Sequence, residues 1–455
     1  GLLLLLGRLA RFLQRLRVRG GRGRGVLRAP GRRRQEAGDE GEEKEGSGRG
    51  GFHQVGPRVG RFQAGVFRAF GKLAPKGKAI LALKTRRPPA SEARSPQAVS
   101  TPAIHRLGEE AGFDETRVAP AQAPALLEHY REWIGRGFAG NMDYLSRQVE
   151  ARSDLKHPFP WARTIIMNAS VYDRPHPYST EAPEDHAWIS RYAWGDDYHK
   201  SVRSRLERLR ASLKREFPGV ETRAFVDTGP IAEKAYAVAA GLGAYGKNSC
   251  VLNPKLGSWF FIGVLITDLD IAPDPPVADL CGSCRACLDA CPTNAFPAPY
   301  VLDATRCISY LTIEVKGSID PDLRAPMGRQ IYGCDICQDV CPWNRKRRVF
   351  GGEDCEPRPG LLAPAFDELV GLDVEGFRAR FRGSSMRRTK RQGLLRNLAV
   401  AIGNAGEARH RPLLEGLARD EDPVVAEHAR WGLERLEARL DRQGLPPGRS
   451  GIRPE

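Results

Sequence analysis

Between residues 101 and 270 two kinds of apolar pattern alternate. Ile104–Gly112 and Ala123–Gly137 place apolar residues at helical spacing, and Asn141–Arg152 reads as a further helix ending near the Pro-rich turn His157–Trp161. Ala162–Val171 is instead β-branched in character and predicts a strand. Tyr198–Phe217 is a charged amphipathic helix. Glu221–Val226 predicts a strand that runs into Asp227, Thr228, Gly229 and Pro230. A helix is expected from Ile231 to about Leu242, with Pro230 as its first residue. The stretch Gly243–Cys250 then leads to a strand at Trp259–Thr267. This alternation predicts an α/β fold, in which ligands collect at the carboxyl ends of strands.

Towards the C-terminus the pattern turns helical. Gly393–Asn404, Arg411–Ala418 and Val424–Leu440 read as helices, and Val425, Ala429, Leu433, Leu436 and Leu440 mark one apolar face. These resemble HEAT-type helical pairs, which present a concave face to extended partners. No run of eighteen apolar residues exists, so no membrane-spanning helix is expected. Residues 1–100 differ from the rest. They are rich in Arg, Gly and Pro, with an acidic patch at Asp39–Glu45, and are expected to be disordered. Arg32, Arg33 and Arg34 do not make a twin-arginine signal, because Gln35–Glu45 is polar where such a signal needs an apolar core.

Charge changes the picture only locally. The chain of 455 residues has a formal net charge of +16. Residues 1–100 hold 23 Lys and Arg against 7 Asp and Glu, which leaves 48 of each sign in the remainder. Any nucleic-acid argument therefore rests on patches. One is Phe377–Leu398, which contains Arg378, Arg380, Arg382, Arg387, Arg388, Lys390, Arg391 and Arg396 and no acid. A charge run is usually a solvated helix face. In a neutral body this one favours phosphate contacts. Arg345–Arg348 adds four more basic residues.

The strongest chemistry lies in the cysteines. Cys281, Cys284, Cys287, Cys291 and Pro292 form C-x2-C-x2-C-x3-C-P, the spacing of two-cluster ferredoxins, where the fourth cysteine serves the other cluster. Cys334, Cys337, Cys341 and Pro342 repeat it in part, with Ile331 where a first cysteine would stand. Cys307 can replace that ligand. The eight thiolates suit two [4Fe–4S] clusters, assigned as Cys281, Cys284, Cys287 and Cys341 on the first, and Cys291, Cys307, Cys334 and Cys337 on the second. Structural zinc favours paired knuckles over a four-cysteine run. Disulfides need an oxidising compartment, for which no clear secretory signal is present. Cys250 and Cys355 stay unassigned. Asp227 ends a strand two residues too early to cap the following helix, which favours a functional carboxyl. Gly246, Lys247 and Asn248 either approach a ligand or make an ordinary turn. Tyr198 and His199 begin a helix, where a single histidine is more often structural.

Taken together, WGDDYHK (Trp194–Lys200), VDTGP (Val226–Pro230), YGKN (Tyr245–Asn248), CGSCRACLDACPTNA (Cys281–Ala295), YGCDICQDVCPWN (Tyr332–Asn344) and RRTKRQGLLRNLAVAIGN (Arg387–Asn404) resemble the epoxyqueuosine reductases, from about Ile104 to Leu440. The resemblance implies a cobalamin- and iron–sulfur-dependent enzyme that reduces epoxyqueuosine to queuosine at the wobble position of tRNA. It implies a corrin near Arg152, Tyr198, His199, Gly246, Lys247, Asn248, Tyr332, Gly333 and Asp335, without a histidine below the cobalt. It implies that Asp227 is the proton donor and that Arg387, Arg388, Lys390, Arg391 and Arg396 help to hold the anticodon stem-loop. The implied architecture is an α/β cobalamin domain (101–270), a ferredoxin-like two-cluster domain (271–350) and HEAT-like helices (351–445), between a disordered extension (1–100) and a flexible tail (446–455). A cytoplasmic monomer fed by an external low-potential electron donor is expected. The alternatives are a reductive dehalogenase-like enzyme and a plain ferredoxin-like carrier.

Overall fold

The computed structural model describes residues 99–346 and 350–442. Of residues 1–100, expected to be disordered, only Val99 and Ser100 are described, and Val99 is buried and bridges Ile271; the tail from 446 and part of the Arg345–Arg348 run lie outside the described residues. The strands are β1 (Glu115–Pro120), β2 (Thr164–Val171), β3 (Trp188–Ile189), β4 (Thr222–Phe225), β5 (Ala244–Tyr245), β6 (Val251–Leu252), β7 (Phe260–Thr267) and β8 (Gln330–Tyr332). A four-stranded sheet has the order β1-β2-β7-β4. Every pairing in it is antiparallel, with Ile166 opposite Val118 on one side and Leu265 on the other. This corrects the α/β expectation. Strands and helices alternate along the chain, yet no strand of this sheet runs parallel to its neighbour.

Strand β2 is central, and all eight of its residues are buried. The side-chain period of two sends Ile166 to one face and Ile165 and Met167 to the other. Ile166 packs with Ile104, Leu107, Val202, Leu206 and Leu209, from the helices Thr101–Glu110 and Tyr198–Glu216. Ile165 and Met167 pack with Ile231, Ala235 and Tyr236 at the helix Glu233–Ala239. Burying one such large aliphatic side chain stabilises by about 1.5–3 kcal/mol. Strand β1 went unpredicted because Glu-Thr-Arg-Val-Ala-Pro is short and ends in proline, as an edge strand can.

Three predicted helices differ. The helix expected from Ile231 begins at Glu233, capped by Ala232 without a side-chain bond. The Arg152 guanidinium holds the carbonyls of Gly229 at 3.1 Å and Ile231 at 2.8 Å, which keeps this segment out of helical pairing. Ala123–Gly137 divides into a 3-10 turn at Ala125–His129 and a helix at Tyr130–Gly135. Asn141–Arg152 divides into Asp143–Ser146 and Val149–Ser153. These breaks let Leu126, Tyr130, Met142 and Leu145 turn towards one cavity.

The described residues form one compact unit, and its cores cross the expected domain boundaries. Strand β3 pairs in parallel with β8. Trp188 and Trp194 share a core with Phe366, Phe381 and the helices Lys390–Ala405 and Pro423–Arg442. Those two helices cross so closely that a Cβ on Gly403 would meet the Gly432 Cα at 2.7 Å. Arg396, expected to touch tRNA, is a correction: it is 1 % exposed. Its guanidinium donates to the carbonyls of Leu311 and Val315 at 2.8 Å and of Gly317 at 2.9 Å. Helical spacing alone did not show which face of this helix turns inward. Arg396→Met should leave three buried carbonyls without a donor and cost about 3 kcal/mol or more. Denaturant melts check this, and an unchanged midpoint contradicts it.

Candidate active site and its two cysteine nests

The thiols gather into two groups of four. Cys287 lies within electrostatic reach of Cys281, Cys341 and Cys284. Cys334 lies near Cys307 and Cys291, and Cys337 near Cys334 and Cys307. The first group reaches the surface, since Cys284 is exposed. The second is enclosed. Burial and the other three sulfurs push the Cys287 thiol up to about 11, and burial raises Cys334 well above the ordinary range. Such sites disfavour thiolates unless a cation compensates, as iron does. Backbone N–H groups already point at sulfur: Lys247 donates to Cys281 Sγ at 3.4 Å and Ala295 to Cys291 Sγ at 3.3 Å. Among the described residues no three potential ligands converge tightly enough for a single metal ion. A lone zinc needs its thiolates about 2.3 Å from one point, whereas a cluster holds them at its separated corners. The donor set fits two [4Fe–4S] clusters.

A hairpin joins these nests to the sheet domain. Between β5 and β6, the turn residue Gly246 donates to the Cys250 carbonyl at 2.8 Å. Lys247 is buried, and its Nζ donates to the carbonyls of Gly282 at 2.6 Å and Cys284 at 2.9 Å. Asn248 Nδ2 donates to the Cys337 carbonyl at 3.4 Å. The turn thus grips both cysteine loops. Cys250, unassigned from sequence, lies hydrogen-bonded to Cys337. Cys355 packs near the Val171 carbonyl, away from both nests.

Asp227 stands just past β4 with a φ of 58°, a left-handed conformation that Asp adopts more readily than most residues. Its Oδ2 accepts from the Tyr198 hydroxyl at 2.6 Å, and its N–H donates to Glu233 Oε1 at 2.8 Å. The Tyr198 ring stacks on Phe261 with centroids 4.1 Å apart. Burial and the neighbouring Asp227 charge push its phenol far up, so it remains a donor. His199 Nδ1 lies 2.7 Å from Asp197 Oδ1, the residue that caps this helix.

Asp227 lines a cavity of about 730 Å³, within the usual size range of ligand sites. Its other walls include Leu126, Tyr130, Trp133 and Met142, then Arg152, Glu233 and Lys234, then Tyr245 and Ser249, then Tyr300–Leu302 and Ala304. The last of these belong to the cysteine-bearing segment. Lys234 donates to the Ser249 carbonyl at 3.0 Å and lies within electrostatic reach of Cys337. The inner nest therefore sits behind the cavity wall. The Arg152 Nε is buried and has no hydrogen-bond partner, which leaves a donor for a ligand.

A family described as a 4Fe-4S double cluster binding domain matches residues 280–344. A second, described as epoxyqueuosine reductase QueG, DUF1730, matches residues 152–228. The epoxyqueuosine reductase of Pseudomonas aeruginosa is 43% identical over 339 residues, covering 73% of this chain and 93% of that protein. The chain belongs to the epoxyqueuosine reductase family. Among solved structures, an epoxyqueuosine reductase with an epoxyqueuosine-modified tRNA-Tyr stem loop has a TM-score of 0.67 at 29% identity, covering 74% of this chain and 89% of that one. The Bacillus subtilis epoxyqueuosine reductase, solved with its catalytic aspartate loop swung out of the active site, has a TM-score of 0.66 at 28% identity, covering 74% and 90%. Family membership makes the chain an oxidoreductase and sets aside the dehalogenase and simple carrier alternatives.

Within the reductase fold, only Arg152 of the nine expected corrin contacts lies on the cavity wall. Gly246, Lys247 and Asn248 stand behind it. Gly333, with a φ of 69°, donates its N–H to Thr312 Oγ1 at 2.9 Å. The side chains of Tyr332 and Asp335 are engaged within the protein. The Tyr332 hydroxyl donates to the Ser385 carbonyl at 2.6 Å. Asp335 is buried and accepts from Ser190 Oγ at 2.5 Å, Arg191 N–H at 2.8 Å and Trp188 Nε1 at 3.0 Å. Both residues fasten the second cysteine loop to its surroundings. Sequence reasoning missed Glu233, Lys234, Tyr130 and Tyr144, because nothing in a helical pattern says which face will meet a cavity.

Of the basic residues, Arg387, Arg388 and Lys390 are exposed, whereas Arg391 donates to the Leu372 carbonyl at 2.8 Å and pairs with Asp420 at 3.1 Å. Arg388 pairs with Glu314 at 2.5 Å and hydrogen-bonds Tyr144 on the cavity rim. In anaerobically prepared protein, Cys287→Ser and Cys334→Ser should each lower bound iron from about eight atoms to about four. Elemental analysis with electron paramagnetic resonance checks this. Loss of the same cluster in both variants contradicts the two-nest assignment.

Proposed function

We propose that this chain reduces the epoxide of epoxyqueuosine in tRNA to the alkene of queuosine, with Asp227 as proton donor and cobalamin seated in the cavity. The observation that carries this reading is Asp227 itself, held at a cavity whose far wall backs onto the inner cysteine nest. The reaction consumes two electrons and two protons and releases water. When bound, cobalamin supplies a reduced cobalt able to attack or to reduce the epoxide carbon. The apolar walls, Tyr130, Trp133 and Met142 among them, exclude water from the reacting carbon. Tyr198 fixes the Asp227 carboxyl through Oδ2, and Arg152 fixes the loop behind it. Asp227 then gives a proton to the departing oxygen, a role that suits a carboxyl within reach of the substrate.

Electrons enter one at a time from an external low-potential donor. With clusters bound, the nest that holds the exposed Cys284 would be open to such a donor, and the enclosed nest would hold the cluster nearer the cavity. The stem-loop partner fits the exposed Arg387, Arg388 and Lys390, where phosphate contacts position the tRNA and the cavity reads the base. The helices Lys390–Ala405, Arg411–Leu417 and Pro423–Arg442 serve as HEAT-like pairs on that side. The reading includes a monomer at work in the cytoplasm, divided as 101–270, 271–350 and 351–445. Among the described residues no helix is long and apolar enough to cross a membrane. Asp227→Ala should lower queuosine formation by about 10² or more while both clusters and cobalamin remain bound. Nucleoside mass spectrometry of epoxyqueuosine-containing tRNA measures it. Queuosine formed at the normal rate would remove the role.

A further inference from the structure

We propose that Tyr144 is the platform on which the base of epoxyqueuosine stacks once its nucleotide has turned out of the anticodon loop. This deepens the reading of the cavity as the seat of epoxyqueuosine and rests on it. Tyr130, Trp133, Tyr144, Tyr245 and Tyr300 are the aromatic residues of the cavity wall. Tyr144 stands apart from the other four. Tyr130 and Trp133 stack on one another with centroids 6.3 Å apart. Their hydroxyl and indole N–H donate to the carbonyls of Leu145 at 3.1 Å and Leu302 at 2.6 Å. Tyr245 is half-buried within β5. Tyr300 directs its hydroxyl to Asp279 Oδ1 at 3.4 Å, on the cysteine side of the wall. Tyr144 lies on the short helix Asp143–Ser146 and is 38 % exposed. Among the described residues it stacks on no other ring.

The surroundings of this ring fit a nucleotide. The Tyr144 hydroxyl is hydrogen-bonded to Arg388, whose guanidinium pairs with Glu314 at 2.5 Å. The ring is therefore pinned at its hydroxyl end, and less freedom is lost when a ligand settles on it. Arg388 stands in the turn Ser385–Thr389, which is itself fixed: the Ser385 carbonyl accepts the Tyr332 hydroxyl at 2.6 Å, and Thr389 Oγ1 donates to the Thr312 carbonyl at 3.0 Å. The exposed Arg387 and Lys390 belong to the same run, so charge suited to phosphate adjoins the aromatic ring at the cavity mouth. Tyr144 and Arg388 both lie within electrostatic reach of Asp227. The ring and the acid can thus serve one ligand. The epoxide is carried on an arm of the deazapurine base, and a base stacked among its loop neighbours cannot bring that arm to Asp227. The nucleotide must turn out. Unstacking costs energy, and an aromatic face inside the cavity offsets it.

Binding is measured on holoenzyme without reductant, so that no turnover occurs, with two stem-loops. One carries epoxyqueuosine and the other an abasic site at the same position. Tyr144→Ala should bind the epoxyqueuosine stem-loop at least about tenfold more weakly than the wild type, and the abasic stem-loop equally well. Tyr144→Phe keeps the ring and should restore most of the affinity. Equal weakening on both stem-loops, or no weakening on either, overturns the inference. Should Tyr144→Ala fail to fold, Tyr144→Leu, apolar and without a π-face, carries the same test. Cobalamin affinity, read from its absorbance, should be unchanged in the variant. A fall by the same factor assigns the ring to the corrin and overturns the inference. The two readings fail separately. Wild-type enzyme that forms no queuosine on the epoxyqueuosine stem-loop once reductant is added sinks the proposed function. Wild-type enzyme that forms it, beside a Tyr144→Ala protein of full affinity, sinks only the inference.

Discussion

Six residues, Tyr245–Cys250, hold the two halves of this enzyme in register. One end of the turn lines the cavity through Tyr245 and Ser249. Its middle is pinned by Lys247 to the first cysteine loop and by Asn248 to the second. A buried lysine is costly unless its ammonium finds acceptors, and Lys247 donates to two carbonyls of the loop that must wrap iron. The consequence is positional. Wherever the cysteine loops settle, the cavity wall settles with them. The enclosed nest cannot drift from the site it would feed without breaking buried hydrogen bonds.

The same economy of position runs through the rest of the site. Arg152 keeps the residues after Asp227 out of the helix that their sequence favours, and so leaves the Asp227 side chain free to face the cavity. Tyr198 is fixed by stacking on Phe261, which lies on β7 of the central sheet. The Asp227 carboxyl is thereby referred back to the central sheet. The relative solved with its aspartate loop swung out of the active site shows that such a loop can leave. In this chain Tyr198, Arg152 and Glu233 are the three side chains that hold it in.

What could be seen in the sequence depended on how local its cause was. Cysteine spacing is local, and the division into two nests was legible from it. Strands β2 and β7 were legible because their apolar runs are long. The sheet's direction was not, because antiparallel pairing is set by which strands meet and leaves no mark on periodicity. Arg396 read as functional because a charged side chain in a basic run looks exposed until its partners are known. It satisfies buried carbonyls instead. Glu233 was invisible for the opposite reason. It sits at the start of a short helix, where an acid is ordinary, and only the fold of the Asp227 loop brings its carboxylate onto the Asp227 N–H.

The central claim is spatial: two iron–sulfur clusters, the inner one against the cavity wall. Anomalous diffraction at the iron edge, on crystals grown without oxygen, tests it most directly. The account predicts two separate iron peaks, one among Cys281, Cys284, Cys287 and Cys341, the other among Cys291, Cys307, Cys334 and Cys337 and adjoining the wall formed by Lys234 and Ser249. A single peak, peaks that appear at the zinc edge instead, or a second cluster remote from the cavity would contradict it.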